Sequence, residues 1–110
     1  MKKALLVVHR YQSNKDPDWG SVATDYATAD MIENIAKMYP NYDWRPATLA
    51  EARRLLREFD IDTLILVPML KDHIEELDAY PDVHVASLTP SQYGKVSKPP
   101  FTFLKRDYFK

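Results

Sequence analysis

A histidine, His9, directly follows the apolar stretch "ALLVV" at residues 4–8, where a buried strand should end. The corner after a strand in a βα unit is where phosphates and small ligands usually bind, because a helix begins there with free backbone N–H groups. An imidazole at this point can act as a nucleophile, since a helix N-terminus favours its neutral form. We therefore take His9 as the centre of a candidate site.

The other ionisable groups fit structural roles better than metal binding. His73 and Glu76 have the spacing of ligands on one helical face, but the three histidines fall on different predicted elements, so no metal site is expected. The triplet Asp16-Pro17-Asp18 lies well past the strand end. It suits the start of a helix, with Asp16 as the cap and Pro17 as the first residue, better than a magnesium site.

Nucleotide-binding motifs are missing from the sequence. It contains two glycines, Gly20 and Gly94, so neither a G-x-G-x-x-G loop nor a P-loop can be built. No cofactor is expected.

Hydrophobic periodicity predicts the strands that would position these residues. Residues 4–8 and 64–67 are continuous apolar runs, which is typical of strands covered by helices on both faces. Residues 42–45 and 83–86 are shorter or only partly apolar, which favours the edges of the sheet.

Helical periods alternate with these strands. A first helix should carry the apolar stripe from Ala27 to Tyr39 and end before Pro40. Thr48 and Glu51 form a capping-box pattern ahead of a second helix. A third helix near residues 71–79 should turn Ile74 and Leu77 inward. Right-handed crossovers then predict a single three-layer α/β domain with a four-stranded parallel sheet of order 2-1-3-4, flavodoxin-like or Rossmann-like in arrangement.

In this order the first and third strands are neighbours, and the helices that follow them lie on opposite faces of the sheet. Such a position is a topological switch point, so ligands should bind beyond the carboxyl ends of these two strands. His9, the segment after strand three and residues 89–94 after strand four should converge there. The loop at residues 10–20 should be irregular and fold over the crevice, because it is long and contains one glycine.

Composition excludes several classes of function. Fifteen basic and sixteen acidic residues give a net charge of −1, so no nucleic-acid partner is expected. No apolar run is long enough for membrane insertion. The absence of cysteine is consistent with the cytoplasm. The pair Pro99-Pro100 separates a domain at residues 1–98 from a basic C-terminal tail at residues 99–110.

Three segments together resemble a known family. They are "KKALLVVH" at residues 2–9, "IDTLILVPMLKDHIEEL" at 61–77 and "VHVASLTPSQYGKV" at 83–96. The chain is similar in these segments to the IIB subunits of the lactose/cellobiose class of the bacterial sugar phosphotransferase system. That resemblance implies a parallel sheet of order 2-1-3-4, a IIA-like phosphoryl donor and a membrane permease (IIC-like) as partners.

The resemblance also implies a site. In the family, a cysteine directly after strand one accepts the phosphoryl group, and the gapless count from Lys2 places His9 at that position. His9 is then the candidate phosphoryl acceptor. The expected anion-binding residues are Arg10, Lys15, Ser21, Tyr93 and Gly94. The sequence departs from the family in lacking the cysteine, in a longer loop after strand one, and in lacking a long last helix.

Two functions therefore stay open from sequence. The first is a divergent IIB-like phosphoryl carrier in carbohydrate uptake, acting through His9 in place of cysteine. The second is a catalytically inactive IIB-like binding or regulatory module, which is favoured because the altered loop lacks the backbone donors that hold a phosphoryl group. The chain is a phosphotransferase enzyme if the carrier function is correct, and it is not an enzyme if the inactive module is correct.

Overall fold

The computed structural model describes residues 1–78 and 80–98. Its strands are β1 (Lys2–Val7), β2 (Ser13–Lys15), β3 (Ser21–Ala23), β4 (Tyr42–Ala47), β5 (Ile61–Leu66) and β6 (His84–Ser87). Its helices are α1 (Tyr26–Met38), α2 (Leu49–Glu58), α3 (Ile74–Leu77) and α4 (Pro90–Val96), with a 3-10 helix at Pro68–His73. The predicted tail at residues 99–110 lies outside the described residues.

Four strands form a parallel sheet in the order β4-β1-β5-β6. Counted within this sheet alone, the order is 2-1-3-4, as predicted. The second strand of the sheet is labelled β4 because two short strands that were not predicted, β2 and β3, lie between it and β1 in the chain. These two strands pair with each other in a separate sheet. Pro46 lies on β4 at the edge, where a residue without an N–H is tolerated.

The two continuous apolar runs form the centre of the core. Leu5, Leu6, Leu64 and Leu66 are fully buried on the central strands β1 and β5. Buried side chains lie on both faces of these strands, which agrees with the continuous apolar runs. The prediction of a three-layer α/β domain is therefore confirmed.

The strand register divides the side chains between two faces. One residue from each of the four strands is in register with the others on the same face: Trp44, Ala4, Thr63 and His84. Helices α1 and α4 cover this face in part. α2 and α3 lie on the other face, as right-handed crossovers require.

Side-chain caps fix where the helices begin. The predicted capping box of α2 is present: Thr48 Oγ1 accepts from the Glu51 N–H, and the Glu51 carboxylate accepts from the Thr48 N–H. Helix α1 ends at Met38, before Pro40. The third predicted helix is a 3-10 helix followed by the short α3, with Leu77 buried and Ile74 packed against the core.

A second capping box, unpredicted, starts α4. Thr89 Oγ1 accepts from the Gln92 N–H, and the Gln92 side chain accepts from the Thr89 N–H. Residues 90–94, expected to form part of a ligand-binding loop, therefore belong to a helix.

Candidate functional site

The carboxyl edge of the sheet brings together the residues that follow its strands. One residue follows each strand within two positions of its end: His9 after β1, Thr48 after β4, Pro68 after β5 and Thr89 after β6. Backbone hydrogen bonds continue past the strand ends and hold these positions side by side, from Val8 N–H to the Ala47 carbonyl (2.8 Å), from Val67 N–H to the Val7 carbonyl (3.1 Å) and from Leu88 N–H to the Leu66 carbonyl (2.8 Å). His9 thus stands next to the switch point between β1 and β5, where the sequence placed it.

His9 itself is exposed, as is Arg10. Within residues 1–78 and 80–98, the imidazole of His9 makes no hydrogen bond to another side chain or to the backbone. The helix that follows β1 does not begin until Tyr26, with a hairpin in between. The chain after His9 therefore does not turn directly into a helix N-terminus.

The segment after His9 differs from its predicted form. Residues 13–15 and 21–23 form an antiparallel hairpin, so the expectation of an irregular loop over residues 10–20 is wrong for residues 13–15. The expected helix start at Asp16 is wrong as well. The Asp16 carboxylate instead accepts from the Asp18 N–H at 2.7 Å within the hairpin turn, which is an Asx-type turn. Gly20 completes the turn at a φ of 66°, which favours glycine.

An ionic and aromatic cluster attaches the hairpin to β4. The Trp19 side chain is 3% exposed, and its indole N–H donates to Asp43 Oδ2 at 2.9 Å. The Arg45 guanidinium lies 5.3 Å from the centre of the Trp19 ring and forms an ion pair with Asp16. Phe59, at the end of α2, packs against the same indole with ring centres 6.0 Å apart. The hairpin is therefore part of the packed structure.

Asp25 is the N-cap of helix α1, and its carboxylate occupies the helix N-terminus. Asp25 Oδ2 accepts from the Thr28 N–H at 3.0 Å, and Oδ1 accepts from the Gln12 N–H at 2.9 Å. Burial raises the pKa of Asp25, but the hydrogen bonds from Thr28 and Gln12 lower it by more. The pKa of Asp25 is therefore held below its usual value. A fixed negative charge thus lies where a phosphate would otherwise meet the backbone N–H groups of α1.

A crevice of about 500 Å³ lies beside this helix start and is lined by Arg10, Tyr11, Gln12 and Asp25. The Tyr11 hydroxyl is within hydrogen-bond distance of the Pro46 carbonyl (3.2 Å) and of Glu51 Oε2 (3.3 Å). Burial, together with the nearby Glu51 charge, raises the pKa of Tyr11 to about 12. Tyr11 therefore stays neutral and joins the hairpin base to the start of α2.

Lys15 and Ser21 lie apart from this crevice. They are paired at the end of the hairpin and line a second cavity of about 390 Å³, between the hairpin and α2. Trp19 and Phe59 provide its apolar wall, and Arg54 and Glu58 of α2 line it as well. Lys15 is exposed, whereas Ser21 is 9% exposed.

The last two predicted anion-binding residues lie on α4. Tyr93 packs partly against the core, and Gly94 is exposed in the body of the helix. A Cβ built on Gly94 would meet no atom within 4 Å, so no close approach requires glycine there. The structure therefore distributes the predicted site residues over the carboxyl edge, the hairpin and α4.

Across residues 1–78 and 80–98 there is no group of three or more histidine, cysteine, aspartate or glutamate side chains that could hold a metal ion. In the same part of the chain, no helix has the length and apolarity needed to cross a membrane.

Comparison with known proteins found no matching family model, no matching curated protein and no matching solved structure. These comparisons therefore assign the chain to no family.

Asp25 is the residue of greatest consequence that the sequence reasoning missed. It directly precedes the helical apolar stripe and is a favourable N-cap residue, so a signal was present. The sequence favours Asp16 as the cap instead, because Pro17 follows it and proline is common at the first helical position. The Trp19–Asp43 and Arg45–Asp16 contacts had no comparable local signal, since they join residues far apart in sequence.

Proposed function

We propose that this protein is a non-catalytic IIB-like binding or regulatory module. The parallel sheet of order 2-1-3-4 agrees with the arrangement implied by the sequence resemblance. The same arrangement supports many functions, so the argument for this one rests on the site. The cytoplasm is the proposed location, since the sequence contains no cysteine.

The observation that carries the proposal is the Asp25 carboxylate at the start of α1. Its oxygens accept from the N–H groups of Thr28 and Gln12, so these two donors are not free to bind a phosphoryl group. A phosphate brought to the same place would also be repelled by the like charge of the Asp25 carboxylate. The ligand proposed for the crevice at Arg10 and Asp25 is therefore a small polar molecule without net negative charge.

The experiment is incubation of the purified chain with phosphorylated IIA-type donors, followed by mass spectrometry at acid and alkaline pH. No phosphorylated product is expected. A phosphoramidate is labile in acid and stable in base, so a modification with this pH profile, present in the wild type and absent in His9→Ala, would overturn the proposal.

The carrier function is a second candidate, supported by the position of His9. The residue is the second after β1 and lies at the switch point, and its exposure leaves the imidazole accessible to a donor protein. In this function a IIA-like subunit would be the donor and a IIC-like permease would take the group to the sugar. The same experiment decides between the two candidates.

A further inference from the structure

The two edges of the four-stranded sheet differ in how well they are protected. At the β4 edge, the hairpin packs beside the strand and is attached through the Trp19–Asp43 hydrogen bond. The Ala47 carbonyl accepts from the Val8 N–H, so the backbone of the preceding residue, Pro46, faces away from β1. Proline has no N–H to give to an incoming strand. The β4 edge is therefore poorly suited to pairing with another chain.

The β6 edge has none of these protections. Residues 84–87, "HVAS", contain no proline, lysine, arginine or acidic residue, and their register with β5 has no bulge. Within residues 1–78 and 80–98, β5 is the only strand that pairs with β6. The side chains of His84 and Ala86 are exposed on the face that carries α1 and α4. Another strand therefore has access to the outer side of β6.

Alternate residues of β6 turn their backbone groups away from the sheet. Successive residues of a strand point their N–H and C=O groups to opposite sides, because the chain is extended. The Leu88 N–H donates to the Leu66 carbonyl at 2.8 Å, so Leu88 and Ala86 both face β5. Val85 and Ser87 therefore face outward, and each presents one donor and one acceptor to an incoming strand.

The spacing of the outward residues matches a second copy of the same strand. Hydrogen-bonded and non-hydrogen-bonded residue pairs alternate along an antiparallel ladder. A two-fold axis at Ala86 puts Val85 opposite Ser87 of the second copy, and each such pair exchanges both N–H to C=O bonds. The two copies of Ala86 then form the non-hydrogen-bonded pair, which suits a residue whose own backbone groups face β5. All the outward donors and acceptors of these residues are satisfied.

The side chains are also compatible with self-pairing. Residues 83–89, "VHVASLT", contain no lysine, arginine, aspartate or glutamate, so two antiparallel copies meet without repulsion between like charges. His84 falls opposite Leu88 of the second copy. The small Ala86 side chain lies at the axis, where the Cα atoms of a non-hydrogen-bonded pair are about 4.5 Å apart. Two-fold dimers are the commonest form of homo-oligomer, which favours a second copy as the occupant.

We propose that β6 pairs with β6 of a second copy of this chain, antiparallel and around a two-fold axis at Ala86. The dimer has one continuous sheet of eight strands, four from each copy. Because the paired segment is short, the association is weak and reversible. The interface lies along the lateral edge of the sheet and is independent of the function proposed for the carboxyl edge.

Single cysteine substitutions test the register, because the sequence contains no cysteine. In Ala86→Cys the paired Cα atoms are about 4.5 Å apart, so mild oxidation should give a disulfide-linked dimer as the main product. Two copies of Ser87→Cys are diagonal neighbours at about 7–8 Å, beyond the usual disulfide range, and should stay mostly monomeric. Ala50→Cys, at an exposed alanine on α2, is the matched control for random collision and should also stay mostly monomeric.

Val85→Pro tests the hydrogen bonds of the interface. It removes an outward N–H and leaves the ladder to β5 intact, which circular dichroism verifies. Analytical ultracentrifugation from micromolar to millimolar concentration should show the wild-type mass rising toward twice that of the monomer. Val85→Pro should weaken dimerisation by at least about tenfold, because each chain loses one backbone donor. Val85→Thr keeps the N–H and should dimerise like the wild type.

A wild-type mass that stays monomeric over the whole concentration series would overturn the proposal. Equal crosslinking of Ala86→Cys and Ser87→Cys would overturn it as well, because a two-fold axis at Ala86 requires a difference between them. The cysteine variants keep the proposal testable if Val85→Pro does not fold, since they place no proline in the strand.

Discussion

The indole N–H of Trp19 donates to the Asp43 carboxylate at 2.9 Å and joins the tip of the hairpin to the edge strand β4. Asp43 Oδ1 also lies 3.4 Å from Arg45 Nε, and Arg45 is paired with Asp16 in the hairpin turn. One carboxylate thus contacts both partners that hold the hairpin. The segment that separates His9 from α1 is kept in place by these contacts.

Asp43→Ala should destabilise the protein by about 1–3 kcal/mol, because a buried indole donor is left without its acceptor. Denaturant unfolding, followed by Trp fluorescence and by circular dichroism, measures the change. Glu33→Ala is the matched control, since it removes an exposed carboxylate paired with Lys37 and should change stability by no more than about 0.5 kcal/mol. Equal effects of the two substitutions would contradict the proposed importance of the Asp43 contacts.

Asp16 should make stability sensitive to acid. The Asp18 N–H and the Arg45 guanidinium lower its pKa below the ordinary value of 3.8. Because the pKa is lower in the folded state, the stabilisation is present above pH 3.8 and is lost as the pH falls through the folded value. Carboxyl NMR titration should show the low pKa, and Arg45→Gln should bring it back toward 3.8. An unchanged midpoint in that variant would argue against the ion pair.

Tyr11 should titrate late at alkaline pH. Its pKa of about 12 means that the folded protein keeps a proton that the unfolded chain loses near pH 10. Stability should therefore fall as the pH rises from about 10 to 12. The absorbance difference between wild type and Tyr11→Phe isolates this phenol. A midpoint near 10 in that difference would show that the hydroxyl is not buried against Glu51.

The two glycines should respond in opposite directions to alanine. Gly20→Ala places a Cβ at a φ of 66° and 3.4 Å from Arg45 Cγ, so it should cost about 1–2 kcal/mol. Gly94→Ala introduces a better helix former into open space on α4 and should gain about 0.5–1 kcal/mol. Thermal unfolding measures the two changes: the unfolding temperature should fall in Gly20→Ala and rise in Gly94→Ala. Destabilisation by Gly94→Ala would mean that the glycine has a role the structure does not explain.

The sheet could be predicted because its signals are local. Continuous apolar runs identified β1 and β5 as central strands, and the Thr48–Glu51 spacing identified the start of α2. The hairpin could not be predicted by periodicity, since all three residues of β2 are exposed and have no apolar alternation. Its stability comes from Trp19, Asp43 and Arg45, whose contacts depend on the folded sheet.

The candidate site was predicted less completely than the sheet. The position of His9 followed from the end of an apolar strand, and the structure places it there. Tyr93 and Gly94 were expected in a loop and lie on α4, because the Thr89–Gln92 capping box starts a helix immediately after β6. The occupation of the α1 N-terminus by Asp25 depends on which aspartate caps the helix, and the proline after Asp16 gave the stronger local signal.

The central claim is that Asp25 already occupies the phosphate position at the start of α1. The direct measurement is a ¹⁵N NMR titration with inorganic phosphate, at constant ionic strength, of the wild type and of Asp25→Gly. Glycine is tolerated at the N-cap and has no side-chain acceptor, so α1 should persist while the negative charge is removed and the Thr28 and Gln12 N–H groups are freed. We expect the Thr28 and Gln12 amides to stay unshifted in the wild type and to shift saturably in Asp25→Gly. Saturable shifts of these amides in the wild type would contradict the claim.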